Sequence, residues 1–295
     1  GQARTLAGSR ANERYLPGFT LPAAVAVSGQ LHDAIAGSEL ILIATPTAGL
    51  RATLRQVQGT GSSTPVIWLC KGFESESAQL PHQVAADELP ARHPRAVLSG
   101  PSFASEVARS LPAALTLASS DAAFAARAAR ELHDNALRIY SSADVIGVEV
   151  AGAVKNVMAI AAGISDGLGL GDNAKSALMT RGIAEMARFA RTRGARVETF
   201  FGLAGIGDLI TTCTSRHSRN RRVGEWIGRG KKLTEILAEL DMVAEGVWTT
   251  KALFGPESGD DPVEMPIAAQ VHAVLFENKD PRAAVADLMS REPTA

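Results

Sequence analysis

Cysteine is nearly absent from the 295 residues: only Cys70 and Cys213 occur, far apart in the chain. That excludes a disulfide framework and any paired thiolate spacing for a metal, and it points to a reducing compartment. Histidines 32, 82, 93, 133, 217 and 272 are equally scattered, so no metal site is expected. An excess of charge is missing too, since 30 Lys and Arg against 31 Asp and Glu leave a formal net charge of -1. A main partner among nucleic acids or membrane surfaces would favour a basic excess, so both are set aside. The longest apolar run, 150–164, is short for a bilayer and is broken by Lys155 and Asn156, which gives no expected membrane insertion and no signal peptide. There is neither a Walker loop nor a G-x-S-x-G elbow, and the glycines at 167, 169 and 171 follow a helical pattern rather than a strand. An initial methionine is lacking as well. The chain opens inside what reads as a helix running to Ala11, as if entered midway.

What is present is enough chain for two domains with well-filled cores, 46% of it hydrophobic. Up to about residue 142, short runs of strand length alternate with helical patterns. "LILIATPT" (40–47), "PVIWLCKG" (65–72), "RAVLSGPS" (95–102), "AALTLASS" (113–120) and "LRIYSS" (137–142) are the strands, and stretches such as "SFASEVARS" lie between them as helices. That rhythm predicts βαβ units around a mostly parallel sheet, with ligands beyond the carboxyl ends of its strands. From about 143 to the end only helical patterns follow, and "GPESGDDP" (255–262) reads as a solvated loop. The expected architecture is an α/β doubly wound domain over 1–142 followed by an all-helical domain over 143–295.

Within the helical half, "VEVAGAVKNVMAIAAGISDG" (148–167) carries an apolar run over 150–164 that only Lys155 and Asn156 interrupt. An unpartnered buried ammonium costs several kcal/mol, roughly, so Lys155 either snorkels to the surface or meets an anion. Desolvation would bring its amine into a useful range for proton exchange. Asp208 stands beside two glycines, with Thr212 one helical turn on and on the same face. The run from Arg216 to Arg222 holds four arginines with Ser218 and Asn220 among them. It reads as a solvated basic loop or as an anion clamp. Lys71 and the Gly100-Pro101-Ser102 turn stand at strand ends, where Ser102 could cap the next helix and offer free N–H groups to an anion.

Taken together, "KGFE", "LSGPSFASEVA", "VEVAGAVKNVMAIAAGISDGLGLGDNAKSALMTRGIAEM", "GLAGIGDLITTC", "SRNRRVG" and "VAEG" resemble the bacterial NAD(P)-dependent sn-glycerol-3-phosphate dehydrogenases, collinearly from near residue 5 to the end. The resemblance implies a Rossmann-like first domain and reversible reduction of dihydroxyacetone phosphate with NAD(H) or NADP(H), feeding glycerophospholipid synthesis. It also implies a cytoplasmic homodimer. By resemblance Lys155 is the general acid/base, and Asp208 positions it or the substrate hydroxyls, with Asn156 and Thr212 beside them. Lys71, Gly100, Ser102, Ser218, Arg219 and Asn220 match substrate contacts. Ala104, Val243 and Glu245 match cofactor contacts, and Lys71 and Arg219 also lie near the cofactor. The family begins with a strand and a G-x-G-x-x-G turn that this sequence lacks, so roughly 35 to 40 residues are expected to be missing and the 295-residue piece to be inactive. Two other readings stand beside this one: a hydroxy-acid dehydrogenase of the same two-domain plan, and a non-catalytic polyanion-binding protein using the arginine run.

Overall fold

The computed structural model describes residues 2–240, 244–255 and 263–292. Helix α1 (Gln2–Ser9) ends two residues before the expected Ala11, because Arg10 takes a left-handed backbone, φ 55°. Its guanidinium donates to the carbonyls of Val25 at 2.8 Å and Leu21 at 3.3 Å. Strands β1 (Ala11–Asn12) and β2 (Leu16–Thr20) then pair antiparallel, a small feature with no periodic signature in the sequence.

After α2 (Leu31–Ile35) comes a sheet in simple order, β3 (Ile41–Ile43), β4 (Val66–Trp68), β5 (Arg95–Ser99), β6 (Ala113–Ala118) and β7 (Leu137–Ser142). Its helices are α3 (Leu50–Gly59), α4 (Pro81–Glu88), α5 (Ala104–Val107) and α6 (Ala122–Glu131). Alternation along β4 divides the core: Val66 and Trp68 join a cluster with Leu50, Leu54 and Val84 from α3 and α4, while Ile67 faces Phe124 and Ala128 of α6. Helices therefore cover both faces, as the continuous apolar strands predict.

Strands β3, β4 and β5 are parallel, but β6 runs antiparallel to β5. A parallel connection needs a full crossover helix, and α5 has only four residues where the sequence promised a longer one. The carboxyl ends of β3, β4 and β5 consequently meet at one edge, bringing together Thr45 to Thr47, Lys71 to Glu74, and Gly100 to Ser102. Glu74 is held there by the Arg51 guanidinium through two 2.8 Å hydrogen bonds, so the acidic end of "KGFE" braces the turn.

The second half is helical: α7 (Val145–Gly167), α8 (Gly171–Arg191), α9 (Asp208–Thr214), α10 (Arg219–Gly228), α11 (Leu233–Glu239), α12 (Glu245–Phe254), α13 (Pro266–Phe276) and α14 (Pro281–Met289). Its axis is α7. The helix extends beyond the apolar run at both ends, and at 23 residues it could cross a bilayer by length and composition alone. Burial decides otherwise, since α8, α9, α10, α12 and α13 pack around it. Asp144 caps it, accepting from the Gly147 amide at 2.9 Å with one carboxylate oxygen and from the Arg196 amide at 2.9 Å with the other.

Contact between α7 and α10 is set by two pairs of glycines four apart. A Cβ at Gly163 would lie 1.9 Å from the Arg221 carbonyl oxygen, and one at Gly224 would lie 1.9 Å from that of Ile160. Gly167 and Gly228 repeat the arrangement one turn further on. Only hydrogen on these α-carbons lets the two backbones meet.

Elsewhere in the helical core, Glu185 is 1% exposed and accepts the first free amides of α13, Ile267 at 3.0 Å and Ala268 at 2.9 Å. Burial pushes its carboxyl up to about 7, against the pull of those two amides. With its folded pKa above its unfolded one, this group contributes stability that is full at acid pH and is lost as pH rises through about 7. Glu185→Gln should flatten the melting temperature against pH over that window relative to wild type, as calorimetry can record.

Candidate active site

At the sheet edge, one buried carboxylate joins the two halves. Asp208, 2% exposed, opens α9 immediately after a π-helical turn at Leu203–Gly207, a local geometry that often marks functional positions. Its Oδ1 accepts from Lys155 Nζ at 2.7 Å and its Oδ2 from Lys71 Nζ at 2.6 Å. Lys155 Nζ also donates to Thr212 Oγ1 at 2.8 Å, and that hydroxyl donates to the Asp208 carbonyl at 2.6 Å. Lys71 Nζ further donates to the Gly100 carbonyl at 3.0 Å, and Ser102 Oγ donates to the same oxygen at 3.1 Å.

Lys155 does not snorkel: it is 6% exposed. Burial lowers its amine to about 8, with the Lys71 ammonium adding to that effect and Asp208 opposing it. For Asp208 the balance tips the other way. Burial would raise its carboxyl, but the charges and hydrogen bonds of Lys155 and Lys71 outweigh burial and hold it below the usual carboxylate range. The centre is thus a carboxylate fixed in its charged form beside an amine poised to exchange a proton.

The remaining polar groups close around it. Asn156, buried, has its amide nitrogen 3.4 Å from the Gly152 carbonyl of its own helix. Ser218 caps α10, its Oγ accepting from the Arg221 amide at 3.2 Å. Asn220 Oδ1 accepts from the Gly246 amide at 3.0 Å and so fixes the start of α12. There Glu245 is raised above its ordinary range by burial, against the charges of Arg219, Lys71 and Lys155. Among the described residues, three cations, Lys71, Lys155 and Arg219, face two carboxylates, Asp208 and Glu245. The rings of Phe103 and His217, with centroids 5.9 Å apart, bring the Ser102 turn and Ala104 against the loop before Ser218.

Two expectations need correction. The arginine run is not a loop, since Arg219 to Gly228 form α10 and the helix disperses its side chains. Arg221 turns to Asp166, with Nε–Oδ2 at 2.7 Å, while Arg222 lies over the Trp226 ring, so no four-arginine clamp or polyanion surface forms. Ser102 does not cap α5: Phe103 occupies the cap position, without a side-chain bond, and the Ser102 hydroxyl turns back to Gly100. Val243 lies outside the described residues, as does most of the loop expected at 255–262.

The sequence reading missed several polar groups. Buried Thr47, Ser99 and Thr249 carry hydroxyls without hydrogen-bond partners, and they lie around Lys71 and Gly72. Gly72 has φ 138°, and a Cβ on it would lie 3.2 Å from Thr249 Oγ1 and 3.4 Å from Thr47 Oγ1, so its bare α-carbon keeps a small polar cradle open. Glu149 was overlooked too, although it is a charge in an apolar helix, the anomaly that singles out Lys155.

Both halves of the chain have counterparts among known proteins. The model of the NAD-dependent glycerol-3-phosphate dehydrogenase N-terminus matches residues 1–125, and that of the C-terminus matches residues 144–286. A glycerol-3-phosphate dehydrogenase [NAD(P)+] of Dechloromonas aromatica is 53% identical over 293 residues, 99% of this chain and 88% of that protein. One of Nitrosospira multiformis is 51% identical over 98% of this chain and 86% of its own. Among solved structures, the glycerol-3-phosphate dehydrogenase of Coxiella burnetii superposes with a TM-score of 0.92 at 39% identity, covering 98% of this chain and 89% of that one.

Proposed function

The chain belongs to the NAD-dependent glycerol-3-phosphate dehydrogenase family, and from that premise we propose that Lys155, held on Asp208 and Thr212, is the proton donor in an NAD(P)H-dependent reduction of dihydroxyacetone phosphate to sn-glycerol 3-phosphate. The observation that carries this reading is the buried amine of Lys155, brought to about 8 beside a carboxylate that stays charged. Such an amine gives up and regains a proton near neutral pH far more readily than a free lysine.

The cradle at Gly72, with unpartnered threonine hydroxyls from the turn after β3 (Thr47) and from α12 (Thr249), suits a flat polar ring, and Lys71, Ala104, Arg219 and Glu245 would hold the dinucleotide. When bound, the reduced nicotinamide supplies a hydride to the carbonyl carbon. Lys155 delivers its proton to the carbonyl oxygen as the C=O bond becomes CH–OH, and it is left neutral to be reprotonated from solvent. In the reverse direction the neutral amine takes the hydroxyl proton. Asp208 keeps Lys155 and Lys71 in register throughout. The phosphate would sit at the start of α10, where Ser218, Arg219 and Asn220 bring a guanidinium and polar side chains to the positive end of the helix. In this reading residues 1–142 form the dinucleotide-binding part and 143–295 the substrate part, with the product entering glycerophospholipid synthesis. The family resemblance also supports a homodimer in the cytoplasm, which sedimentation of the purified protein would register.

Steady-state assays with dihydroxyacetone phosphate against a panel of 3-hydroxy acids test the proposal. A clear preference for the phosphate ester is the expected result, and equal use of both would overturn it. The pH dependence follows from Lys155: reduction requires the ammonium, so its kcat/KM should hold below pH about 8 and fall above it, while that of oxidation should rise through the same point.

A further inference from the structure

Glu149 stands near the start of α7 with 4% of its surface exposed, and among the described residues no lysine or arginine pairs with it. Its carboxylate takes three hydrogen bonds from outside its own helix. Trp68 Nε1 donates to Oε1 at 2.8 Å, the His82 amide donates to Oε2 at 3.2 Å, and His82 Nδ1 lies 2.6 Å from the same oxygen. Packing alone would not call for a carboxylate here, because an apolar side chain of similar volume fills such a space at lower desolvation cost. What the carboxylate supplies is fixed geometry between α7, the end of β4 and the first turn of α4.

That geometry leads to the active site. Trp68 is the last residue of β4, and Lys71 follows three residues later. Glu149, Gly152 and Asn156 share one face of α7, with Lys155 beside them. Gly152 is bare where the Lys71 stem passes: a Cβ there would lie 3.4 Å from Lys71 Cγ and 3.1 Å from Ser99 Oγ. Lys71 and Lys155 then grip opposite oxygens of Asp208, so a small shift of β4 along α7 would pull one ammonium away. We propose that Glu149 is a positioning residue of the reaction: by anchoring Trp68 and His82 it holds Lys71 in register with Asp208 and Lys155. This rests on the reading that those three residues serve the chemistry.

Glu149→Gln keeps the size of the side chain and turns an acceptor into a donor facing N–H groups. In the full-length enzyme kcat should fall about 10- to 100-fold while KM for dihydroxyacetone phosphate changes by no more than about threefold, as expected when Lys71 is misplaced but the phosphate contacts at the start of α10 are kept. Peptide mapping after brief treatment with trinitrobenzenesulfonate should show Lys71 labelled several-fold faster, since it leaves Asp208. Trp68→Phe removes one donor while keeping an aromatic ring there and should move both readouts less far in the same direction; it decides the matter if the glutamine variant does not fold. A lowered melting temperature with wild-type kcat per folded enzyme and unchanged Lys71 labelling would overturn the proposal. Lys155→Met, assayed in parallel, separates the two ideas: if it retains turnover the catalytic reading fails, and if it is inactive beside a wild-type-like Glu149→Gln only the positioning role fails.

Discussion

Replacing Lys155 by methionine is expected to lower kcat for dihydroxyacetone phosphate reduction by about 10²- to 10⁴-fold, the range spanned by loss of a general acid. KM should change little, because the phosphate is held elsewhere, at the start of α10. Arg219→Ala should do the opposite, raising KM by about 10- to 100-fold through loss of charge-assisted hydrogen bonds worth about 1.5–3 kcal/mol, with kcat less affected. The pair of variants is informative because each predicts a different column of the kinetic table. Methionine suits the test: its unbranched stem takes the place of the lysine stem without adding a new polar group there, and Asp208 keeps Lys71 as a counter-ion at 2.6 Å. Similar losses of kcat and KM in both variants would leave the division of roles without support.

The largest effect on stability is expected from Gly163→Ala. Its Cβ would lie 1.9 Å from the Arg221 carbonyl oxygen and 2.8 Å from the Glu225 amide nitrogen, both backbone atoms that cannot rotate away. The helices must part along their whole contact, and with α10 would go the Ser218–Asn220 turn that meets the substrate. Overpacking of a filled core costs about 1–3 kcal/mol and occasionally more; with backbone on the opposite side, about 3 kcal/mol or above is expected. At about 2–4 °C per kcal/mol in a protein of this size, the melting temperature should fall by about 6–12 °C. Gly224→Ala meets the Ile160 carbonyl at the same 1.9 Å and should behave alike. At Gly59, the last residue of α3, a Cβ would have nothing within 4 Å, so Gly59→Ala should leave the melting temperature nearly unchanged. Calorimetry of the three variants checks the series.

Much of the site could be read before the fold was known, for a physical reason. A charge on an otherwise apolar helix is conspicuous in one dimension, and so Lys155 stood out. Asp208 and Thr212 stood out by helical spacing, and Lys71 by following a buried strand. Glu149 had the same local signature, yet its partners, Trp68 and His82, lie more than sixty residues away and leave no periodic trace. The arginine run misled because composition cannot distinguish a loop from a capped first turn: once Ser218 starts α10, successive side chains point about 100° apart, and Arg221 and Arg222 go to different partners, Asp166 and the Trp226 ring.

By itself, then, the sequence determined the α/β half followed by the helical half, the burial of the Lys155 helix, and the family, because these follow from local periodicity and long collinear motifs. Only the tertiary structure decided that Lys155 and Lys71, on different halves, close on the two oxygens of one aspartate, that β6 turns against β5, and that α7 and α10 touch backbone to backbone. These are distances between segments remote in sequence, set by which α-carbons are bare and which strand ends meet, and a one-dimensional pattern holds no measure of them.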